Sequence, residues 1–151
     1  MITDALLAYL HFASILILAG ALSAQALLLR ATPGTATVMT LVRCDVLYLI
    51  AALLVLASGA ARLFFGAKGY AVHLANPWFH AKLGLFIAIG LLSIGPTRQF
   101  LRWRRASLAD PAFMPAEDAR VTVRRRVMLE IHLLALVPLA AAFIARGIVV
   151  P

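Results

Sequence analysis

The chain is poor in cysteine, in acidic groups and in charge of any kind. Cys44 is the sole cysteine and only six residues are acidic, against fourteen basic ones. One thiol forms no disulfide within a chain and builds no thiolate metal site alone; Cys44 is expected to sit reduced and inert at the mouth of the second helix. Charged residues make up 13% of the sequence, about half the ~25% usual in a soluble domain. Nucleotide-binding Walker loops, GxSxG elbows, HExxH zinc helices and CxxC pairs are all missing, as are internal repeats and low-complexity stretches. Copper(I) transport is disfavoured too, because Met1, Met39, Met114 and Met128 fall in the tail, in connections or at a helix start rather than in a soft cluster. The opening Met1-Ile2-Thr3-Asp4 carries no side-chain base. A cleaved leader needs one, so the first apolar run is expected to be retained.

What is abundant is hydrocarbon. Hydrophobic residues are 64% of the chain, and the mean hydropathy is +0.97. Four apolar runs, near residues 5–29, 46–65, 78–97 and 127–146, are long enough to cross about 30 Å of lipid. Backbone groups in lipid must bond within their own segment, which makes these helices rather than strands. The expectation is an all-α fold: a single domain, 1–151, built as an integral membrane antiparallel four-helix bundle. The net charge of +8 is concentrated in the third connection, 98–126, with Arg98, Arg102, Arg104, Arg105, Arg120, Arg124, Arg125 and Arg126. Arg30 and Arg43 lie in the first connection, and Lys68 alone in the second. The positive-inside rule places connections one and three in the cytoplasm and both termini outside. The partners implied are the bilayer and its anionic headgroups, not nucleic acid, for which no motif is present. Pro111 and Pro115 suggest irregular backbone in connection three, and Trp78 and Trp103 read as interfacial anchors at opposite ends of helix three.

Ionisable groups within these runs are costly and point to a site. His11 stands about 9 Å below the outer end of helix one, and Lys82 roughly 6 Å deep from the same side. With His80, Arg62 and Arg146 they form a basic outer layer. Asp45, Glu130, His132 and the loop arginines form an inner one, and roughly 15 Å along the membrane normal separates His11 from His132, too far to share a small metal ion. Helical spacing puts His11, Ser14, Leu18 and Gln25 on one face, Asp45, Ala52, Gly59 and Arg62 on another, and His132, Leu139 and Arg146 on a third, with Glu130 pointing away from His132. These stripes are expected to face the bundle interior or a partner chain. Each residue also has an ordinary alternative. Arg62, Lys82 and Arg146 would snorkel to headgroups, His80 would be interfacial, His73 a loop residue, and His132 a bridge to a neighbouring helix. Glu130 would pair with Arg124–Arg126 at a helix start.

An imidazole in an antiparallel bundle is a common axial ligand for haem iron. His11 would be the main ligand, with either His80 as the second or a five-coordinate iron, and Lys82, Arg62 and Arg146 would meet the haem carboxylates or another anionic ligand.

The run Asn76-Pro77-Trp78-Phe79-His80-Ala81-Lys82-Leu83-Gly84-Leu85-Phe86, continued by Gly90-Leu91-Leu92-Ser93-Ile94-Gly95-Pro96-Thr97 and Phe100-Leu101-Arg102-Trp103-Arg104, resembles a bacterial family of small predicted membrane proteins of unknown function. The ending Glu130 … Pro138 … Ala145-Arg146-Gly147 resembles it also, and the likeness covers nearly the whole chain. More distantly, the layout is similar to a four-helix superfamily that includes the HemJ-type protoporphyrinogen oxidases and copper-resistance membrane proteins. That likeness implies His11 as the ligand of haem b and Lys82 as a porphyrin-carboxylate or catalytic partner. After His11 the sequence departs from the HemJ-type aromatic pattern and reads Ala-Gly-Ala-Leu-Ser-Ala-Gln.

These observations lead to a haem-b-binding membrane redox protein of the bacterial inner membrane that exchanges electrons with a quinone or a redox partner. Two alternatives stand beside it: a non-enzymatic scaffold or accessory subunit, and a HemJ-like protoporphyrinogen oxidase. The small-residue faces near Gly20 and Ala24 also suggest a homodimer.

Overall fold

The computed structural model describes residues 2–65 and 77–146. Four helices follow one another: α1 (Ile2–Leu28), α2 (Thr35–Phe65), α3 (Pro77–Ala109) and α4 (Glu117–Ala145). No strand occurs among the described residues. The chain is an all-α membrane bundle, and all four helices are long and apolar enough to cross a bilayer. The second connection, 66–76, with Lys68 and His73, lies outside the described residues, as does Gly147.

Each helix packs on its chain neighbours, α1 on α2, α2 on α3 and α3 on α4, and α1 closes the ring against α4. The α1–α2 and α3–α4 hairpins make the broadest contacts, and the backbones of the diagonal pairs stay apart among the described residues. The inward stripes follow alternating three- and four-residue steps. On α1 they run through His11, Ser14, Leu18, Ala21, Leu22 and Gln25; on α3 through Ile89, Ser93, Pro96, Phe100, Trp103 and Ser107. On α4 they are Val123, Val127, Glu130, Leu134 and Val137. The outward faces are equally apolar, with Leu16, Leu53, Leu91 and Leu139 exposed, as lipid contact requires.

The helices extend well past the apolar runs. α2 begins eleven residues before Val46, and most of the basic stretch 98–126 is helical, leaving a connection of 110–116. Hydropathy marks only the lipid-buried part of a helix, whereas Arg, Ala and Leu keep good helix propensity beyond it. The ends have local causes. Asp110 stops α3 because Pro111 disfavours helical backbone before it. Its Oδ1 accepts from the Ala112 N–H at 2.9 Å, and its carbonyl accepts from the Phe113 N–H at 3.0 Å. Thr35 Oγ1 donates to the Pro111 carbonyl at 3.1 Å, joining the two hairpins. Arg120 Nη1 donates to the carbonyls of Leu29 and Arg30, both at 2.9 Å, and so caps the end of α1 from α4.

Two expectations are corrected. Trp103 is not a lipid-interface anchor: it is buried beside Phe100, ring centres 6.0 Å apart, because it falls on the inward stripe of α3. The His132–Leu139–Arg146 stripe does not face the interior. All three are exposed, since Val127 and Leu134 fix the opposite face of α4 as the inner one.

Candidate functional site

Polar side chains in the bundle interior fall into two layers. The first lies in the half that carries the chain ends, and it centres on His11. This ring is only 4% exposed. Its Nδ1 is 2.9 Å from Ser58 Oγ on α2. Ser58 has one hydroxyl proton, and that proton points at its own helix, to the carbonyls of Leu54 at 2.5 Å and Val55 at 3.2 Å. In the tautomer with the proton on Nδ1 the hydroxyl accepts from His11 and Nε2 carries the lone pair of the neutral ring; the Val55 backbone also acts on the ring. Gly59 makes room for this arrangement. A Cβ at that position would stand 3.3 Å from His11 Cε1, closer than ordinary packing allows. Ser14, one turn along from His11, turns its hydroxyl back to the Leu10 carbonyl at 2.7 Å and takes no part.

The charges that act on His11 are those of Lys82 from α3 and Arg62 from α2. Both side chains are half-buried, and Arg62 acts on Lys82 as well. The Arg62 guanidinium also sits 6.0 Å from the centre of the Phe12 ring, a cation–π distance. Three helices thus bring one imidazole and two cations together. His80 is exposed in the first turn of α3, its ring edge-on to Phe79 at 5.7 Å. Arg146 is exposed in the turn that ends α4. His132 bonds its own helix, Nδ1 to the Met128 carbonyl at 2.6 Å, rather than a neighbouring one.

The second layer lies about 21 Å along α1 from the first, fourteen residues at 1.5 Å each. It draws on all four helices. Asp45 accepts from Thr97 Oγ1 at 3.0 Å, and Gln25 reaches toward the same carboxyl. The Tyr48 hydroxyl acts on Glu130 and Ser93; Ser93 itself donates to the Gly90 carbonyl at 2.8 Å. Gln25 and Glu130 are each 1% exposed, Tyr48 2% and Asp45 5%. Glu130 is therefore not a helix-start residue paired with Arg124–Arg126. The helix begins at Glu117, and Glu130 falls on its inward stripe. Reading Asp45 with Tyr48, one turn on, and Ser93 with Phe100, one heptad on, would have exposed this layer in the sequence. The signal needed was the heptad register of α2 and α3, not the spacing of charges alone.

Among the described residues no group of three or more His, Cys, Asp and Glu side chains could hold a metal ion. Cys44 is free and half-buried. A cleft of about 370 Å³ opens between α3 and α4 at the arginine-rich end, lined by Arg98, Arg102 and Arg126 with Asp118.

Comparison with known proteins matches residues 3–149 to one family, described as Predicted membrane protein (DUF2214). The match spans nearly the entire chain, and the protein belongs to that family. No curated protein and no solved structure matches it.

Proposed function

We propose that this DUF2214 family member is a haem-b-binding redox protein of the bacterial inner membrane, with its haem site in the outer half of the bundle. The observation that carries the reading is the His11–Ser58 hydrogen bond at 2.9 Å. Metal-ligating histidines are commonly held this way, with one ring nitrogen donating to a neighbour so that the other is oriented and basic. The residues present fit the group. His11 would hold the iron, and Arg62 and Lys82 would meet the two propionates. Haem b, when bound, supplies one-electron transfer. His11 would hold it in place, Ser58 orients the His11 ring, and the burial of that ring keeps water away. The other parts of the proposal are His80 as second ligand, Arg146 as a further carboxylate partner, and a quinone or redox protein as electron partner.

The test is the dithionite-reduced minus air-oxidised absorption spectrum of the detergent-purified protein, alongside His11→Ala. Wild type should show Soret, α and β bands near one haem per chain. His11→Ala should lose them while keeping its helical circular dichroism and its elution volume. A colourless wild type produced with ample haem overturns the reading.

The charge of Lys82 acting on His11 favours a second reading, a HemJ-like oxidase that takes protoporphyrinogen at the same site. Lys82→Ala would then keep the haem bands and lose porphyrinogen oxidation. Unchanged oxidation in that variant, or none in wild type, removes this reading.

A further inference from the structure

The second polar layer has no part in the haem proposal, and its chemistry is different. Two carboxyl groups, Asp45 and Glu130, are enclosed by four helices in the membrane-spanning core. Among the described residues the one ion pair is Arg120 with Glu117, so neither buried carboxyl has a cationic partner. The groups that face them are few. From α1 comes Gln25, from α2 Tyr48 and the half-buried Cys44, and from α3 the hydroxyls of Ser93 and Thr97. On α4 the nearest cation is Arg126, one turn before Glu130, and its guanidinium packs against Gly95 in the cleft at the arginine-rich end.

Two ionised carboxylates in a low-dielectric interior without a counter-charge are strongly unfavourable. Something positive must reside there. The network is also left open at two places. Glu130 Oε1 and Gln25 Nε2 are buried without a hydrogen-bond partner, although both side chains are 99% enclosed, at 1% exposure. Most buried polar groups close their bonds, and these two open atoms belong to side chains of the carboxyl layer itself. An acceptor and a donor left open on either side of a carboxyl pair are what an exchanging proton uses.

We propose that Asp45 and Glu130, surrounded by Tyr48, Thr97 and Gln25, form an intramembrane proton-binding pair that takes up and releases protons on the side of the arginine-rich end. The step is a proton transfer only. A water proton bonds to a carboxylate oxygen, the O–H breaks again on release, and no electrons move. Tyr48 is the neighbouring hydroxyl that acts on ionised Glu130, and Glu130 Oε1 is the free oxygen that receives the proton. The inference stands independently of haem binding.

The experiment uses the wild-type protein in lipid vesicles treated with dicyclohexylcarbodiimide, an apolar reagent that modifies protonated carboxyls, with the adduct located by mass spectrometry. The expected result is an adduct on Glu130 or Asp45 at neutral pH, declining as the pH is raised and unaffected by sodium ions. The exposed Glu117, Asp118 and Asp110 should stay unmodified. Glu130→Gln and Asp45→Asn should each abolish the adduct at the substituted position. Infrared absorption gives a readout that needs no reagent access: wild type should show a protonated-carboxyl carbonyl band that shifts in heavy water and is lost in Asp45→Asn/Glu130→Gln. Loss of the adduct on adding sodium would overturn the proposal in favour of a metal-cation site. Absence of both the adduct and the band would overturn it outright.

Discussion

At the scale of single residues, the orientation of His11 rests on two small neighbours. Ser58 Oγ lies at hydrogen-bond distance from Nδ1 and Gly59 leaves space for the ring. Ser58→Ala removes the acceptor and leaves a buried donor unpaired, a loss of about 1–3 kcal/mol. We expect a lower thermal midpoint in detergent and, in haem-loaded protein, a shifted reduction potential. An unchanged potential would separate Ser58 from the ligand. Gly59→Val places branched carbons where a single Cβ already stands 3.3 Å from the ring. It should displace His11 and lower haem content toward that of His11→Ala, with helical circular dichroism retained. His11 was legible in the sequence because an imidazole in an apolar run is costly wherever it points. Its partner Ser58 was not, since serine in such a run bonds its own helix as readily as a neighbour.

At the scale of elements, the caps and faces of the helices set the site. Arg120 closes the end of α1 with two charge-assisted bonds from the first turns of α4. Arg120→Ala should cost about 1.5–3 kcal/mol, the range for hydrogen bonds to charged groups. It should speed hydrogen exchange at the last amides of α1, and unchanged exchange there would show that water replaces the cap. On α4 the spacing of Glu130 and His132 fixes their opposition, whichever of them is inside. The sequence therefore told that they diverge but not that Glu130 turns inward. Only Val123, Val127, Leu134 and Val137 read as one stripe decide it. Apolarity is no guide to the inner face in lipid, because both faces are apolar. The exposed His132 should be dispensable for the fold, and His132→Leu should move stability by less than about 0.5 kcal/mol in a thermal melt. Glu130→Lys, at 1% exposure, should prevent accumulation of folded protein.

At the scale of the whole molecule, two hairpins tied at their arginine-rich ends enclose two polar layers separated by apolar packing around Leu18, Leu22, Val55 and Ile89. The four spans and the basic third connection were legible because lipid thickness sets the length of an apolar run. The extent of the helices beyond lipid was not, because hydropathy is silent there. The stacking places a histidine with two cations near one end and a carboxyl pair toward the other. That division suits a protein that handles an anionic cofactor on one side and protons on the other. The most direct test of the first half is the reduced-minus-oxidised spectrum of wild type beside His11→Ala, both purified after growth with added haem. Haem bands in wild type at near one per chain, absent from a folded His11→Ala, are the predicted result. Equal spectra from the two proteins, whether both coloured or both featureless, would contradict the assignment of His11 as the haem ligand.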